Sequence, residues 1–432
     1  MSGAGEPSME WRRRYVLKSY LQSSLWVVPL VAYVVSIAMV RIISLIDDWL
    51  NWSWEWTLTV ENVDSALNVL IAGNLSFIVF TFGSLLVAIQ VASAQLTPRI
   101  IATTLLRDNT LRVIVALFVL TFIFNLGVTA RTQARVPYLL LTVALLLSIG
   151  SIVAFLFLID YAARLLRPVS IVWRLGEAGL TVIEQVYPSL IEGEHTPSPP
   201  LASFDAPGRE VLHDGKAAIV VAVHIETLKV EAERTKGIVE LVPRVGDFIA
   251  TREPLFRLHG NAAAAGDRRL RAAVAMGRER TIEQDATFAF RVIVDIAIKA
   301  LSKAINDPTT AVLAIDQLHR LLRATGRRHL HDDAIRDAAG DVRVVLRTPT
   351  WEDFVQLSCR EIVLYGAENF QVARRLRAML ENLMQVLPEA RQPALREELD
   401  VLDQTLTEVH RLKQNLTLAR TPDLQGLGAG RR

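Results

Sequence analysis

LNVLIAGNLSFIVFTFGSLLVAIQVAS, Leu67 to Ser93, is the stretch whose reading decides the fold. It carries no charged residue. At about 1.5 Å of rise per residue, roughly 20 helical residues cross a hydrocarbon core of about 30 Å, so this run is long enough to span. Turning about 100° per residue brings Asn74, Thr81, Ser84, Ala88, Ala92 and, just beyond, Gln95 into one narrow stripe of polar and small side chains. A stripe of that kind on an apolar helix either packs against another helix or faces water. Asn74, Thr81, Ser84, Ala88 and Gln95 are therefore a candidate pore or helix-packing face.

Working outward, Leu25 to Ile46, Leu111 to Ala130 and Tyr138 to Ile159 are apolar runs of the same kind. A helix pair buried in a soluble protein is the competing reading, and four such runs in succession weigh against it. Arg12, Arg13, Arg14 and Lys18 precede the first run, and Arg99, Arg107 and Arg112 surround the connection from second to third. Cytoplasmic loops concentrate Lys and Arg, so these belong inside. The loop from Asp47 to Asp64 holds five acidic residues and no Lys or Arg and belongs outside. Its Trp49, Trp52, Trp54 and Trp56 suit the headgroup zone. Arg131 and Arg135 run against the charge rule; Arg164, Arg167 and Arg174 restore it. Arg41 lies near the outer end of the first span, where a long side chain can snorkel. The expectation is a multi-pass protein of the bacterial cytoplasmic (inner) membrane with both termini cytoplasmic.

Composition agrees. The 432 residues are 51% hydrophobic and 21% charged, a blend of membrane spans and a soluble part. The N-terminal basic patch and apolar run read as an anchor, since the run is too long for a secretory signal and lacks a small-residue cleavage site. A single cysteine, Cys359, excludes an intramolecular disulfide and suits a reducing compartment. A net charge of +2 makes no case for nucleic acid. No span has an acidic residue at its centre, which argues against a carboxylate relay inside the bilayer.

The fold class expected is an α-helical membrane protein with four transmembrane helices, followed by a cytoplasmic α+β domain made of a small β unit plus helices. The divisions are 1–161 for the membrane domain, 162–210 for an exit helix and linker, 211–260 for the β unit, 261–420 for a helical domain and 421–432 for a disordered tail. Pro168 to Leu190 reads as an amphipathic helix and Glu192 to Gly208 as a Pro-rich linker. Lys216 to Val223, Gly237 to Val242 and Asp247 to Leu258 read as short strands, with a helix over Ile225 to Arg234. The end of this unit resembles half of a biotinyl or lipoyl-type barrel-sandwich. The helix replaces the hairpin that carries a modified lysine in such domains, so no cofactor is implied.

The most specific soluble stretch is Glu279 to Gln317, ERTIEQDATFAFRVIVDIAIKALSKAINDPTTAVLAIDQ. Thr281 and Gln284 have the spacing of a capping box, which predicts a helix from there to about Ala304. Asp295 and Lys299 form a favourable i,i+4 pair. Asp307 caps a second helix with Pro308 at its first position, where a missing N–H costs nothing. Asn306 sits in the elbow, its amide predicted to bond backbone across the turn. Gln284, Asp285, Asn306 and Asp307 are candidate ligand or subunit contacts, together with Glu279 around one polar pocket.

Ile282 to Ala311 is similar to the signature of the domain-of-unknown-function family 2254 of bacterial predicted membrane proteins, and so are FTFGSLLVAIQVASAQLTPR in the second span and TPTWEDFVQLSCREIVLYGAEN further on. The three stretches cover most of the chain from Ser65 to Asn382. Lys303 stands where the family usually has proline and Thr309 where it usually has an aromatic residue. The resemblance implies the topology and no reaction.

Beyond it, Val342 to Arg347 reads as a strand, Thr350 and Asp353 as another capping pair, and Leu395, Leu399, Leu402, Leu406 and Val409 as a seam that either self-associates or docks on its own domain. His329, His331, Asp332 and Asp333 form a weak metal cluster in a polar loop. GxSxG, HExxH and a Walker-type glycine loop are absent from the sequence. Three classes of function stay open: a homo-oligomeric channel or transport-like protein with a regulatory cytoplasmic domain, a membrane-anchored sensor or scaffold, and a membrane-anchored enzyme using Asn306 and Asp307. The lipid bilayer is the one partner implied with a homo-oligomer; ligand, metal and nucleic acid are not.

Overall fold

The computed structural model describes residues 11–15, 17, 20–21, 24–50, 59–95, 108–132, 136–165, 167–191, 207–330 and 334–428. The chain divides into two compact units, one from residues 20–94 and 98–171, the other from residues 172–432 with the N-terminal residues.

The first unit is a bundle of α1 (Val27–Leu50), α2 (Val60–Gln95), α3 (Asn109–Thr132) and α4 (Tyr138–Leu165). All four are long and apolar enough to cross a membrane. The last three contain the runs expected of them, and α1 begins two residues inside its expected run and continues four residues past it. Val40, Leu67, Phe124, Val128 and Leu140 pack together in one interior cluster, and Leu85, Phe118 and Leu158 in another. The outside is apolar too: Val69, Val79, Leu86, Leu146 and Val153 are each at least 60% exposed.

Polar side chains instead occupy the bundle interior. Ser36 Oγ donates to the Leu120 carbonyl at 3.1 Å, Ser151 Oγ to Thr121 Oγ1 at 2.9 Å, and Asn125 Nδ2 to Ser148 Oγ at 3.1 Å. Apolar outside with hydrogen-bonded polar groups inside is the arrangement a hydrocarbon solvent favours.

The second unit holds two sheets. One runs β1 (Arg209–Leu212), β5 (Pro254–His259), β3 (Ile238–Leu241), β8 (Val342–Leu346), β7 (Ala334–Arg336) in spatial order. The other runs β4 (Phe248–Ile249), β2 (Ala218–Val223), β6 (Val274–Gly277). Pairings are antiparallel except β3 with β8, which align Val239 with Val344 in parallel. The strands expected over 216–223, 237–242 and 342–347 and the helix α6 (Ile225–Thr235) are present, the stretch 247–258 divides into β4 and β5 of different sheets, and β1, β6 and β7 are additional. The sheets therefore draw strands from beyond residue 260, because β6 and β8 are too short to hold a sheet alone and find their partners across the chain. The barrel-sandwich likeness does not extend to this parallel, split arrangement.

The helices of this unit are α5 (Pro168–Val186), which begins in the bundle unit, α6, the short α7 (Asp267–Ala272), α8 (Ala286–Ala300), α9 (Pro308–Gly326), α10 (Trp351–Gly366), α11 (Phe370–Val386), α12 (Gln392–Val409) and α13 (Lys413–Ala419). Helix α8 packs on α9 and α10. Its Phe290 ring lies 5.1 Å from Phe354 of α10, both fully buried. Burying a side chain of that size stabilises by about 1.5–3 kcal/mol.

Three local expectations change. Helix α8 starts at Ala286 rather than Thr281, with Asp285 as its cap, and ends at Ala300. Asp295 pairs with Arg291, whose Nε donates to Oδ1 at 2.7 Å, rather than simply facing solvent beside Lys299. The stretch read as a disordered tail is tied down as far as Gly428. Asp423 accepts the amides of Gln425, Gly426 and Gly428, and Arg374 donates to the Gly428 carbonyl. The leucine seam docks internally: Leu395, Leu402 and Leu406 are fully buried on α12, which packs against α10 and α11.

Candidate functional site

The four residues singled out by sequence outside the bundle separate into two places. They stand at opposite ends of α8, whose 15 residues span about 22 Å. At the far end, Asp307 Oδ1 accepts the Thr310 amide at 3.1 Å, and Asp307 Oδ2 the Thr310 hydroxyl at 2.5 Å. Asn306 has φ +49° and its amide donates to the Ser302 carbonyl at 2.8 Å. The left-handed conformation is the reason for asparagine, whose short side chain tolerates it better than most. Its backbone makes the turn; its exposed side chain does not bridge it. The Asn306-Asp307 elbow is thus accounted for by capping and turn geometry.

Gln284 and Asp285, at the near end, do share a cavity of about 330 Å³. Its walls come from the end of α5 (Gln185 to Tyr187), the end of β2, the turn after β3 and the exit of β8, with the start of α8 as the fifth side. Gln284 Oε1 accepts the Val223 amide at 2.9 Å, tying the start of α8 to the last residue of β2. That bond takes Gln284 out of any capping box and leaves the cap to Asp285.

Asp285 is the chemical centre of this cavity. It is 5% exposed, its Oδ1 accepts the Phe288 amide at 3.0 Å and the Thr287 hydroxyl, and its Oδ2 is buried without a hydrogen-bond partner. Oδ2 lies against Gly246, where φ is +95° and a side chain would meet the carboxylate. Only glycine is free of strain there. Arg280 Nε donates to the Gly246 carbonyl at 2.7 Å, holding this turn. Burial pushes the Asp285 carboxyl above its ordinary range, against the Thr287 hydrogen bond and the nearby Arg280 charge. Burial, with the Asp285 charge second, likewise pushes the Tyr187 phenol up.

Arg244 and Arg347 also line the cavity. Arg244 reaches Asp353 at 3.4 Å and keeps 41% of its side chain exposed, while Arg347 is exposed. The rest of the lining is mainly aliphatic, including Val223, Leu241, Val245 and Leu346. A chamber of mainly apolar walls with the buried Asp285 carboxylate, the partly buried Glu283 and two guanidinium groups at its edge is suited to a small amphipathic molecule.

Two residues that the sequence reading passed over border this site. Tyr15 donates to Glu283 Oε2 at 3.2 Å, and Glu283 is a lining residue. Trp11 stacks on Tyr15 and lies 4.9 Å from the His224 ring. Their only signal in sequence was aromatic residues among the basic N-terminal cluster.

In the bundle, Asn74 and Thr81 are 2% and 1% exposed, turned into their own bundle. Thr81 and Ser84 return their hydroxyls to the carbonyls of Phe77 and Thr81, and Asn74 Oδ1 is buried without a partner. The side chains of Ala88 and Gln95, like His331, Asp332 and Asp333, lie outside the described residues.

The family model described as predicted membrane protein (DUF2254) matches residues 22–382. Three uncharacterized proteins, one from Mycobacterium bovis and two from strains of Mycobacterium tuberculosis, are each 27% identical over 400 residues, covering 89% of this chain and 75% of their own length. No solved structure matches.

Proposed function

The chain belongs to the DUF2254 family of predicted membrane proteins, and from that premise we propose that it is a membrane-anchored sensor whose soluble unit receives a small ligand beside Asp285. One observation carries this reading. The two stretches of chain that join the bundle to the soluble unit both reach the same cavity. The chain leaving the last bundle helix lines it at Gln185, Val186 and Tyr187; the chain leading to the first touches its wall through Tyr15 and Glu283. A ligand that orders these residues acts on both connections at once, as a two-state coupling requires. The spans then lie in the inner membrane with both termini cytoplasmic, as the loop charges favour.

The ligand's chemistry follows from the walls: an apolar body, an N–H or O–H donor for Asp285 and an anionic group for Arg347 and Arg244. The test is a thermal-shift screen of full-length protein in detergent against small amphipathic anions bearing a donor. Wild type is expected to gain melting temperature with at least one compound that leaves Asp285→Asn unmoved. Equal shifts in both proteins, or none in either, defeat the assignment.

A second reading, a homo-oligomeric channel or transport-like protein with the soluble unit as regulator, draws on a different observation. Asn74 Oδ1 and Asn125 Oδ1 are both buried in the bundle without partners, and such atoms call for water. Solute or ion flux in proteoliposomes that changes with Asn74→Leu would favour it over a sensor.

A further inference from the structure

A second cavity, of about 440 Å³, opens along the outside of the bundle between α1 and α3. It runs from Tyr33 to Arg41 on one helix and from Ile123 to Arg131 on the other. Eight residues of rise make it about 12 Å long. Its floor is where the helices come closest: a Cβ at Gly127 would stand 2.8 Å from Val40 Cγ2. Tyr33, Ile37 and Leu126, at 43%, 45% and 42% exposure, leave the groove open outward.

Both arginines stand at the same end of this apolar groove. Arg131 donates to Ser44 Oγ, one turn beyond Arg41, which fixes its guanidinium toward α1. Among the described residues, neither Arg41 nor Arg131 meets a carboxylate, although Asp47 and Asp48 follow on α1. Asp47 Oδ1 instead accepts the Leu139 amide at 3.0 Å, at the start of α4. Snorkelling explains one arginine at a span end. Two converging on one lipid-sized groove with no carboxylate partner among the described residues ask for an anion, and Arg binds a phosphate with paired N–H donors.

We infer that this groove holds an acyl chain of an anionic glycerophospholipid, with its phosphate on Arg41 and Arg131. The inference rests on the reading that the four helices lie in a bilayer, and is independent of the cavity at Asp285. Apolar contact along Ile37, Val40, Leu126 and Ala130 seats the chain, and the arginines select the headgroup charge.

The experiment is native mass spectrometry of the full-length protein released from nanodiscs, with phosphatidylglycerol and phosphatidylcholine of identical chains in competition. Phosphatidylglycerol is expected to stay bound preferentially. Arg41→Gln should weaken that preference about fivefold, in line with one basic residue at an anionic membrane surface. Among the described residues the Arg41 side chain has no hydrogen-bond or ion-pair partner, so this variant is expected to keep the fold. Ala130→Trp fills the groove without touching either charge and should remove retained lipid of both kinds. Equal retention of the two lipids, or a preference unchanged in Arg41→Gln, overturns the inference while leaving the bilayer reading intact. Failure of the wild type to enter nanodiscs at all overturns both.

Discussion

The bundle and the second, mixed α and β unit use the same residue types in opposite ways. In the second unit Phe290, Trp351 and Phe354 are buried, and the charged groups that are buried with them, such as Glu398 and Arg374, are hydrogen-bonded, whereas in the bundle Leu86 and Val79 point outward and Asn125, Thr121 and Ser151 are hidden. The hydrophobic effect drives the first arrangement. The second is the arrangement that a hydrocarbon surround favours, where association rests on packing and on keeping polar atoms away from hydrocarbon. An exposed leucine therefore means different things at position 86 and at position 364.

The comparison can be attacked in order of expected effect. Phe354→Ala, in the core shared by Tyr187 and Phe290, should cost about 3–5 kcal/mol and lower the melting temperature of purified protein sharply. Next, an acidic residue placed on each outward leucine separates the two regions directly. Leu86→Asp, if α2 faces lipid, should cost about 2.5–3.5 kcal/mol of insertion and deplete the protein from the membrane fraction. Leu364→Asp, equally exposed, should change stability by no more than about 0.5 kcal/mol. Similar behaviour of the two variants would mean that the bundle's outer face does not meet lipid.

The third test uses pH. Because burial raises the Asp285 carboxyl above its ordinary 3.8, its contribution to stability is fully present below that value and is lost as pH rises through the higher folded value. Asp285→Asn keeps a good helix cap and does not titrate. Melting curves taken from below pH 3.8 upward should show wild type losing ground against the variant; parallel curves would mean that Asp285 is not desolvated. The smallest effect belongs to the bundle interior. Asn125→Leu removes the bond to Ser148, whose hydroxyl still has the Ala144 carbonyl, and should cost about 0.6 kcal/mol. A loss of several kcal/mol, read by the melt in detergent, would show that the polar interior holds the bundle together.

What was legible beforehand follows the range of the interactions involved. The Asp307-Pro308 start of α9 and the Thr350-Asp353 capping box of α10 are set by contacts within one turn, and both are found as spacing predicts. The start of α8 differs from what its spacing predicts because two possible caps, Thr281 and Asp285, stand four residues apart. The choice between Thr281 and Asp285 was made by the amide of Val223, a strand residue 61 positions away, which claims Gln284. Asn306 looked like a ligand group because its need for a positive φ is invisible until the elbow is built. Gln284 and Asp285 were worth singling out, yet their cavity is assembled from residues as far apart as 185 and 349.

By itself, the sequence determined that four helices are apolar along lengths that match a bilayer, and that a mixed α and β unit follows. Hydropathy and capping sum over neighbours in the chain, so they need no partner to be read. Only the tertiary structure decided which way Asn74 and Thr81 of α2 turn, that Asp285 is left with a buried unpartnered oxygen, and that Arg41 meets Arg131 at one groove. Each of these depends on the surface brought opposite a residue, and that surface comes from chain far away.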